Sequence, residues 1–283
     1  MRMITAIPEM KAAVRAVKDR NETIGFVPTM GYLHEGHLSL VRSARQKTRV
    51  TIASIFVNPT QFGPNEDFKA YPRDFDRDAA MLEGEGVDLL FHPSAGEMYP
   101  EGHRTTVEVL DLQDKLCGRS RPGHFRGVCT VVLKLFEIVR PDIAFFGQKD
   151  AQQAIILKRM VRDLDLEVRL EILPIVREAD GLAMSSRNTY LSPAERKAAL
   201  VLSRSLREAE ERIRRGKRNA NALLAEMREM VGRESLARVD YIEAVDMDRL
   251  DPVPEIADGT LIALAVYIGK IRLIDNLIVS LEK

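Results

Sequence analysis

The sequence predicts an α/β protein with a mainly parallel sheet, followed by a smaller α+β part, and three observations carry that reading. Short apolar, β-branched runs alternate with helical patterns through residues 1–175, as strands and crossover helices do. Beyond the stretch 174–187 the texture changes to long, charged helical sequence. Three strand-like runs separated by turn residues then close the chain, the pattern of an α+β unit. The expected division is therefore residues 1–175 and residues 176–283.

Each element has a local cause. Thr23–Val27, Val50–Val57, Val87–Phe91 and Ile143–Phe146 are short apolar runs, with another near Val168–Leu173, and such runs form strands covered on both faces. Helices are expected between them. The clearest is Val128–Val139, where Val128, Val131, Val132, Leu135 and Val139 recur at helical spacing on one apolar face. Further on, Ser192 is an N-cap with Pro193 at the first helical position, so a helix is expected over Pro193–Arg215. Another begins after Gly216, at about Asn219. Strands are expected near Val239–Val245, Thr260–Tyr267 and Arg272–Val279, between turn signals at Pro252, Pro254, Asp258-Gly259 and Gly269.

Composition excludes several classes. The 283 residues are enough for one large core or two smaller ones. Lys plus Arg equals Asp plus Glu at 42 each, so the chain lacks the overall basic field that drives non-specific nucleic-acid binding. Met1-Arg2-Met3-Ile4 opens no long apolar run of the signal-peptide kind, and no later stretch reaches the roughly 18 apolar residues of a membrane span. A cytoplasmic protein that spans no membrane and binds no nucleic acid is expected. Cys117 and Cys129 are the only cysteines and are read as ordinary thiols, not as a disulfide framework.

In an open α/β sheet, ligands bind outside the carboxyl ends of the strands, which directs attention to three segments. Pro28–His37 follows the first expected strand and Asn58–Gly63 the second, while Gly147-Gln148-Lys149-Asp150, with Gln153 one turn later, follows the fourth. His34 and His37 stand three apart at the start of a helix carrying Leu38, Val41 and Ala44, so both project from its first turn. A helix N-terminus offers N–H groups and partial positive charge, and Gly36 admits a phosphate close to the backbone. The alternative is a pair of capping or surface histidines; a metal site is weaker, because no third ligand has an evident spacing.

Lys149 at a strand end could reach phosphate oxygens or stand solvated in a turn. Asp150 could hold a ribose hydroxyl or cap the next helix. Gln61 and Gln153 each carry a donor and an acceptor, suited to a small hydroxylated acid or equally to a core amide. Met184-Ser185-Ser186-Arg187 sets two hydroxyls beside a guanidinium, as a phosphate clamp does. Cys117–Gly127, rich in Gly and Arg, is either an anion-binding loop or a solvated connection.

These blocks together, Pro28-Thr29-Met30-Gly31 with His34-Glu35-Gly36-His37, Phe56–Phe62, Arg121–Gly127, Phe146–Asp150 and Met184–Asn188, resemble in order the pantothenate synthetase (pantoate–β-alanine ligase) family. The resemblance implies a Rossmann-like N-terminal domain holding ATP and pantoate, a C-terminal lid domain and a homodimer formed through the N-terminal domains. It implies that pantoate is adenylated by ATP and the acyl group passed to β-alanine. Met30, Gly31, Tyr32, Leu33, His34, Glu35, Gly36 and His37 would contact ATP, with His37 the proton-donating or charge-stabilising residue and His34 its partner. Gly147, Gln148, Lys149, Asp150, Val176, Met184, Ser185, Ser186 and Arg187 complete the nucleotide site, and Lys149 joins the two histidines in catalysis.

Gln61 and Gln153 match pantoate-binding positions, and Asn58 is grouped with them on the substrate side. The family uses Mg2+ with the triphosphate. Here Tyr71-Pro72-Arg73 matches, but Arg77 interrupts the acidic cluster Asp74, Asp76 and Asp78, so the metal ligand is left unassigned. A nucleotidyltransferase that keeps its nucleotide in the product, or a non-enzymatic ATP-binding domain, are the readings set against this one.

Overall fold

A computed structural model describes residues 1–64 and 66–281. Its first sheet has six parallel strands in the order β1-β4-β3-β2-β5-β6. They are β1 (Arg2–Ile4), β2 (Ile24–Thr29), β3 (Val50–Ile55), β4 (Leu89–Phe91), β5 (Ile143–Gly147) and β6 (Arg169–Leu173). The helices associated with them are α1 (Ile7–Lys18), α2 (Glu35–Lys47), α3 (Phe75–Gly84), the short α4 (Ala95–Met98) and α5 (Cys117–Ser120), α6 (His124–Val139) and α7 (Ala151–Asp163).

Every residue of β3 is buried, as are the first four of β2, which is why their sequences read as unbroken apolar runs. On one face Leu40, Val41 and Ala44 of α2 and Leu82 of α3 pack on Val27, Ala53, Ile55, Leu90, Ile143 and Phe145. On the other, Phe136 of α6 meets Phe146 edge-on, with ring centroids 6.4 Å apart. The expected helix over 128–139 lies within α6, which starts earlier, at His124, and buries Val128, Val131, Val132, Leu135 and Val139 together with most of its other residues. Strand β3 stops at Ile55, short of the expected Val57, and the chain turns into a 3-10 turn over Pro59–Gln61. The three-residue β1 was too short to show a period in the sequence.

Connectivity fixes the ligand crevice. The chain runs from β2 through β3 to β4 on one side, then returns to place β5 on the other side of β2. The order of strands therefore reverses between β2 and β5, and the crevice of such a sheet opens at the carboxyl ends flanking that reversal.

A second sheet is antiparallel, in the order β7-β8-β9, built from β7 (Ala237–Val245), β8 (Leu261–Ile268) and β9 (Ile271–Ile278). Its helices are α8 (Pro193–Arg214) and α9 (Ala220–Gly232). Helix α8 starts in a capping box: the Glu195 N–H donates to Ser192 Oγ at 3.4 Å and the Glu195 carboxylate accepts the Ser192 N–H at 2.9 Å. Leu202, Leu206, Leu223, Leu264 and Val266 belong to its core.

The chain forms two compact units. The first comprises Met1–Gln113, Arg121–Gly147 and Ile156–Pro174, and the second Asp114–Ser120, Gln148–Ile155 and Ile175–Lys283. Polar side chains of the antiparallel sheet bind the two short segments of the second unit. Arg272 meets Cys117 Sγ at 3.5 Å, Asp240 accepts from Ser120 at 2.8 Å, and Asn276 holds the 148–149 turn. Both cysteines are buried and free, and burial pushes the Cys129 thiol up to about 12. Among the described residues no helix is long and apolar enough to cross a membrane.

Candidate active site

At the carboxyl end of β2 the backbone makes a tight reversal. Gly31 has φ +81°, and a Cβ there would lie 3.0 Å from both Asp78 Oδ2 and Ile55 Cγ2. Tyr32 follows with φ +50°, a left-handed conformation that costs a residue with a side chain. Asp78 of α3 compensates for that cost: its carboxylate accepts the Tyr32 N–H at 2.5 Å and the Leu33 N–H at 2.8 Å. The Leu33 carbonyl accepts from Arg77 at 2.8 Å and the Leu33 side chain is buried in the core. Tyr32 and Leu33 thus use their backbone N–H groups to shape the loop.

Asp78 is buried, which pushes its pKa up against the opposing pull of the two N–H groups and of Arg77. Asp74 caps α3 by accepting the Arg77 N–H at 3.3 Å. Among the described residues no group of three or more His, Cys, Asp or Glu side chains could hold a metal ion. Asp78, a member of the acidic cluster, anchors the loop, a role that sequence reasoning missed. Its partner Leu33 lies 45 residues upstream, so no local pattern signals the pairing.

The loop delivers His34 as the N-cap of α2. The His34 N–H donates to His37 Nδ1 at 3.3 Å, and the two rings stand 4.1 Å apart between centroids. With Nδ1 accepting, a neutral His37 carries its proton on Nε2, where it serves as a donor. The helix begins at Glu35, so the N–H groups of Glu35 and Gly36 have no intrahelical acceptor, whereas that of His37 donates to the His34 carbonyl at 2.8 Å. The Glu35 side chain points to the helix surface, where hydrogen bonding to Arg42 holds its carboxyl below the usual range against the opposing effect of burial.

At the end of β3, Asn58 and Gln61 are both buried. Asn58 Oδ1 accepts from Tyr99 Oη at 2.8 Å and Thr60 Oγ1 at 2.9 Å. That leaves its Nδ2 to donate to Gln61 Oε1 and to the Gly127 carbonyl, each at 3.1 Å. Gln61 consequently directs its Nε2 to Met30, donating to Sδ at 3.1 Å. Asn58, expected on the substrate side, has both amide ends bonded within the fold, one of them to Gln61.

The Arg121–Gly127 block supports the same residue. His124 Nδ1 donates to the Gln61 carbonyl at 2.8 Å and Nε2 accepts from Arg121 at 3.1 Å, while Arg121 is paired to Glu66. A Cβ on Gly127 would come within 2.3 Å of the Thr60 carbonyl oxygen. This stretch is a clamp on Gln61, and the reading of it as a flexible loop is corrected: Cys117–Ser120 is helical and α6 begins at His124.

In the second unit Val176 and Met184 are cross-strand partners, the Met184 N–H donating to the Val176 carbonyl at 3.0 Å. Gly181, at φ +93°, makes the turn between them. Lys149, Ser185, Asn188 and Asp275 line one small cleft. Ser185 Oγ accepts the Arg187 N–H at 3.2 Å, and Ser186 is buried. Gln148–Asp150 is a 3-10 turn with Asp150 exposed, and Gln153 is half-buried on α7. Its neighbour Gln152 is structural, bonding the Cys117 N–H at 2.9 Å and the Lys115 carbonyl at 2.7 Å. Gln61 belongs to the first unit and Gln153 to the second.

The family model for pantoate-beta-alanine ligase matches residues 2–278. The chain belongs to the pantoate–β-alanine ligase family. It is accordingly a ligase. Curated relatives named pantothenate synthetase include those of Heliobacterium modesticaldum, 58% identical, and Thermotoga petrophila, 57% identical; each match covers 99% of this chain and 100% of the relative. The crystal structure of pantothenate synthetase from Thermus thermophilus superposes with a TM-score of 0.94 at 47% identity, over 99% of this chain and 100% of that one. The pantoate–β-alanine ligase of Francisella tularensis, solved in complex with beta-gamma ATP and beta-alanine, matches at a TM-score of 0.82 and 36% identity, over 98% of this chain and 97% of that one.

Proposed function

We propose that the enzyme condenses pantoate with β-alanine to pantothenate at the expense of ATP, through a pantoyl adenylate, releasing AMP and pyrophosphate. The observation that carries the reading is that the N-terminus of α2, bearing His37, and the Gln61 amide follow the carboxyl ends of the neighbouring strands β2 and β3, beside the reversal of strand order. Membership of the family and the ligands named for the Francisella tularensis enzyme support it.

The pantoate carboxylate is already ionised at neutral pH, so the first step needs no general base. Its oxygen attacks the α-phosphorus, the bond to the bridging oxygen breaks and pyrophosphate leaves. Catalysis then rests on positioning and on donors aimed at the developing charge. His37 would donate from Nε2 and the first turn of α2 from its N–H groups. Lys149 and the Ser185-Ser186-Arg187 segment are the second unit's donors for the departing phosphates. Gln61, with Gln153, would hold the pantoate oxygens so that one carboxylate oxygen lies in line. In the second step the neutral amine of β-alanine attacks the acyl carbon, AMP leaves with the bonding pair, and the amine loses its proton.

Magnesium enters this reading as a companion of the triphosphate. A lid role for residues 176–283 and a homodimer formed through residues 1–175 belong to the same proposal. Light scattering giving a monomer mass would remove the dimer.

The deciding experiment is isotope exchange. With pantoate and magnesium present and β-alanine absent, labelled pyrophosphate should enter ATP; AMP should appear in step with pantothenate once β-alanine is added. Exchange without pantoate points to another acid, and exchange only with β-alanine to a concerted reaction. A product that retains the nucleotide would reassign the enzyme to nucleotidyl transfer.

A further inference from the structure

The turn that carries Lys149 is held by a side chain far away in sequence. Asn276, on β9, donates from Nδ2 to the carbonyl oxygens of Gln148 at 2.9 Å and Lys149 at 3.0 Å, and its Oδ1 accepts from Gln148 Nε2 at 3.1 Å. Both ends of one buried amide are therefore committed to two consecutive residues of the turn. Asn276 is itself braced. Its N–H donates to Asp275 Oδ1 at 2.8 Å, and the buried Asp275 carboxylate is gripped by Arg177 through bonds of 2.7 and 3.0 Å. Arg177 directly follows Val176 in the hairpin that leads to Ser185.

We propose that Asn276 is a positioning residue for Lys149: its amide fixes the backbone of the 148–149 turn and thereby where the ammonium stands in the cleft it shares with Ser185 and Asp275. This rests on the reading that Lys149 serves the first half-reaction. The physical case is one of freedom. Lysine has a flexible four-carbon stem, so its charge is placed accurately only if the backbone from which it springs is rigid. A turn at a strand end has few neighbours to make it so. An amide that satisfies both carbonyls supplies that rigidity, whereas an apolar replacement leaves two carbonyls to find water and the turn to drift. Misplacement by about 1 Å can lower a rate on the order of a hundredfold.

The test is a double-mutant cycle on pyrophosphate exchange, with Asn276→Ala, Lys149→Ala and the pair, each checked for folding by circular dichroism and thermal midpoint. Asn276→Ala is expected to lower kcat by about ten- to a hundredfold, with the KM for pantoate unchanged. Added to Lys149→Ala, it should change kcat by less than about twofold, since residues acting through one another are non-additive. Asn276→Ser, which keeps one donor, should fall between Ala and wild type and serves the cycle if the alanine variant does not fold. Wild-type kcat in the folded Asn276 variants, or losses that multiply in the pair, overturn the proposal. Wild-type kcat in Lys149→Ala alone instead overturns the functional reading of Lys149, so the two failures are separable.

Discussion

With Nδ1 accepting the His34 N–H, a neutral His37 carries its proton on Nε2, which suits it as a donor to a leaving phosphate. His37→Ala should lower kcat for exchange by roughly 2.7 to 4 kcal/mol in barrier, by analogy with loss of an oxyanion donor, with ATP affinity little changed; a wild-type kcat removes the assignment. Asp78 acts at the same scale by a different route. In Asp78→Asn one of the two accepting oxygens becomes an NH2 group facing a backbone N–H. Denaturant unfolding should show a loss of about 1 to 3 kcal/mol, the penalty for an unsatisfied buried donor. Any magnesium requirement of the reaction should be unchanged in this variant, since the observed bonds of Asp78 are to backbone; a large rise in that requirement would place a metal at the acidic cluster.

Among elements, the contact between α6 and the 59–61 turn is set by the absence of a side chain at Gly127. Gly127→Ala must push the turn away from the helix, shifting Gln61 and breaking the bond from Asn58 to the Gly127 carbonyl. Steady-state kinetics should show a raised KM for pantoate, and unfolding a loss of about 1 to 3 kcal/mol from overpacking. The hairpin from Val176 to Met184 is held by Arg196 of α8, which donates to Glu178 at 2.8 Å, and by Asn188 of the preceding 3-10 turn, which donates to the same carboxylate at 2.6 Å.

Hydrogen bonding to Arg196 lowers the Glu178 pKa against the raising effect of burial, with Asn188 adding to the fall. A carboxyl whose folded value is depressed contributes stability above its ordinary value near 4.5, and that contribution is lost as pH falls through the folded value. The difference in thermal midpoint between wild type and Arg196→Ala should therefore be constant near neutrality and shrink below pH 4.5. For a partly exposed pair it should correspond to about 1 kcal/mol or less. A difference that grows in acid contradicts the pairing.

At the scale of the molecule, the second unit draws in residues 114–120 and 148–155, which lie outside its continuous stretch. The division of the chain at 175/176 remains a proposal about folding units, and the observed contacts say how to test it. A fragment of residues 176–283 keeps the core around Leu202, Leu223 and Leu264 but leaves Asn276 and Asp240 without their partners from 148–149 and Ser120. It should fold with a lower thermal midpoint and a broader transition than the full chain. A fragment as stable and as cooperative as the full chain would mean that the two segments contribute nothing.

By itself the sequence determined the elements whose cause is local. Apolar runs marked β2, β3 and β5, Ser192-Pro193 marked the start of α8, and turn residues separated β7, β8 and β9; the family followed from motif blocks in order. The candidate groups His34, His37, Lys149 and Gln61 were legible because residues after a strand or at a helix start have a position that periodicity alone predicts. Tertiary structure alone decided which side chains hold these residues in place. The return of the chain that puts β5 beside β2, Asp78 under the Tyr32–Leu33 backbone, the orientation of Gln61 through Tyr99 and Asn58, and the grip of Asn276 on the Lys149 turn all join residues dozens to more than a hundred positions apart. Such pairings depend on packing and hydrogen-bond geometry set by the whole fold. A single chain read in order carries no period or spacing that encodes them.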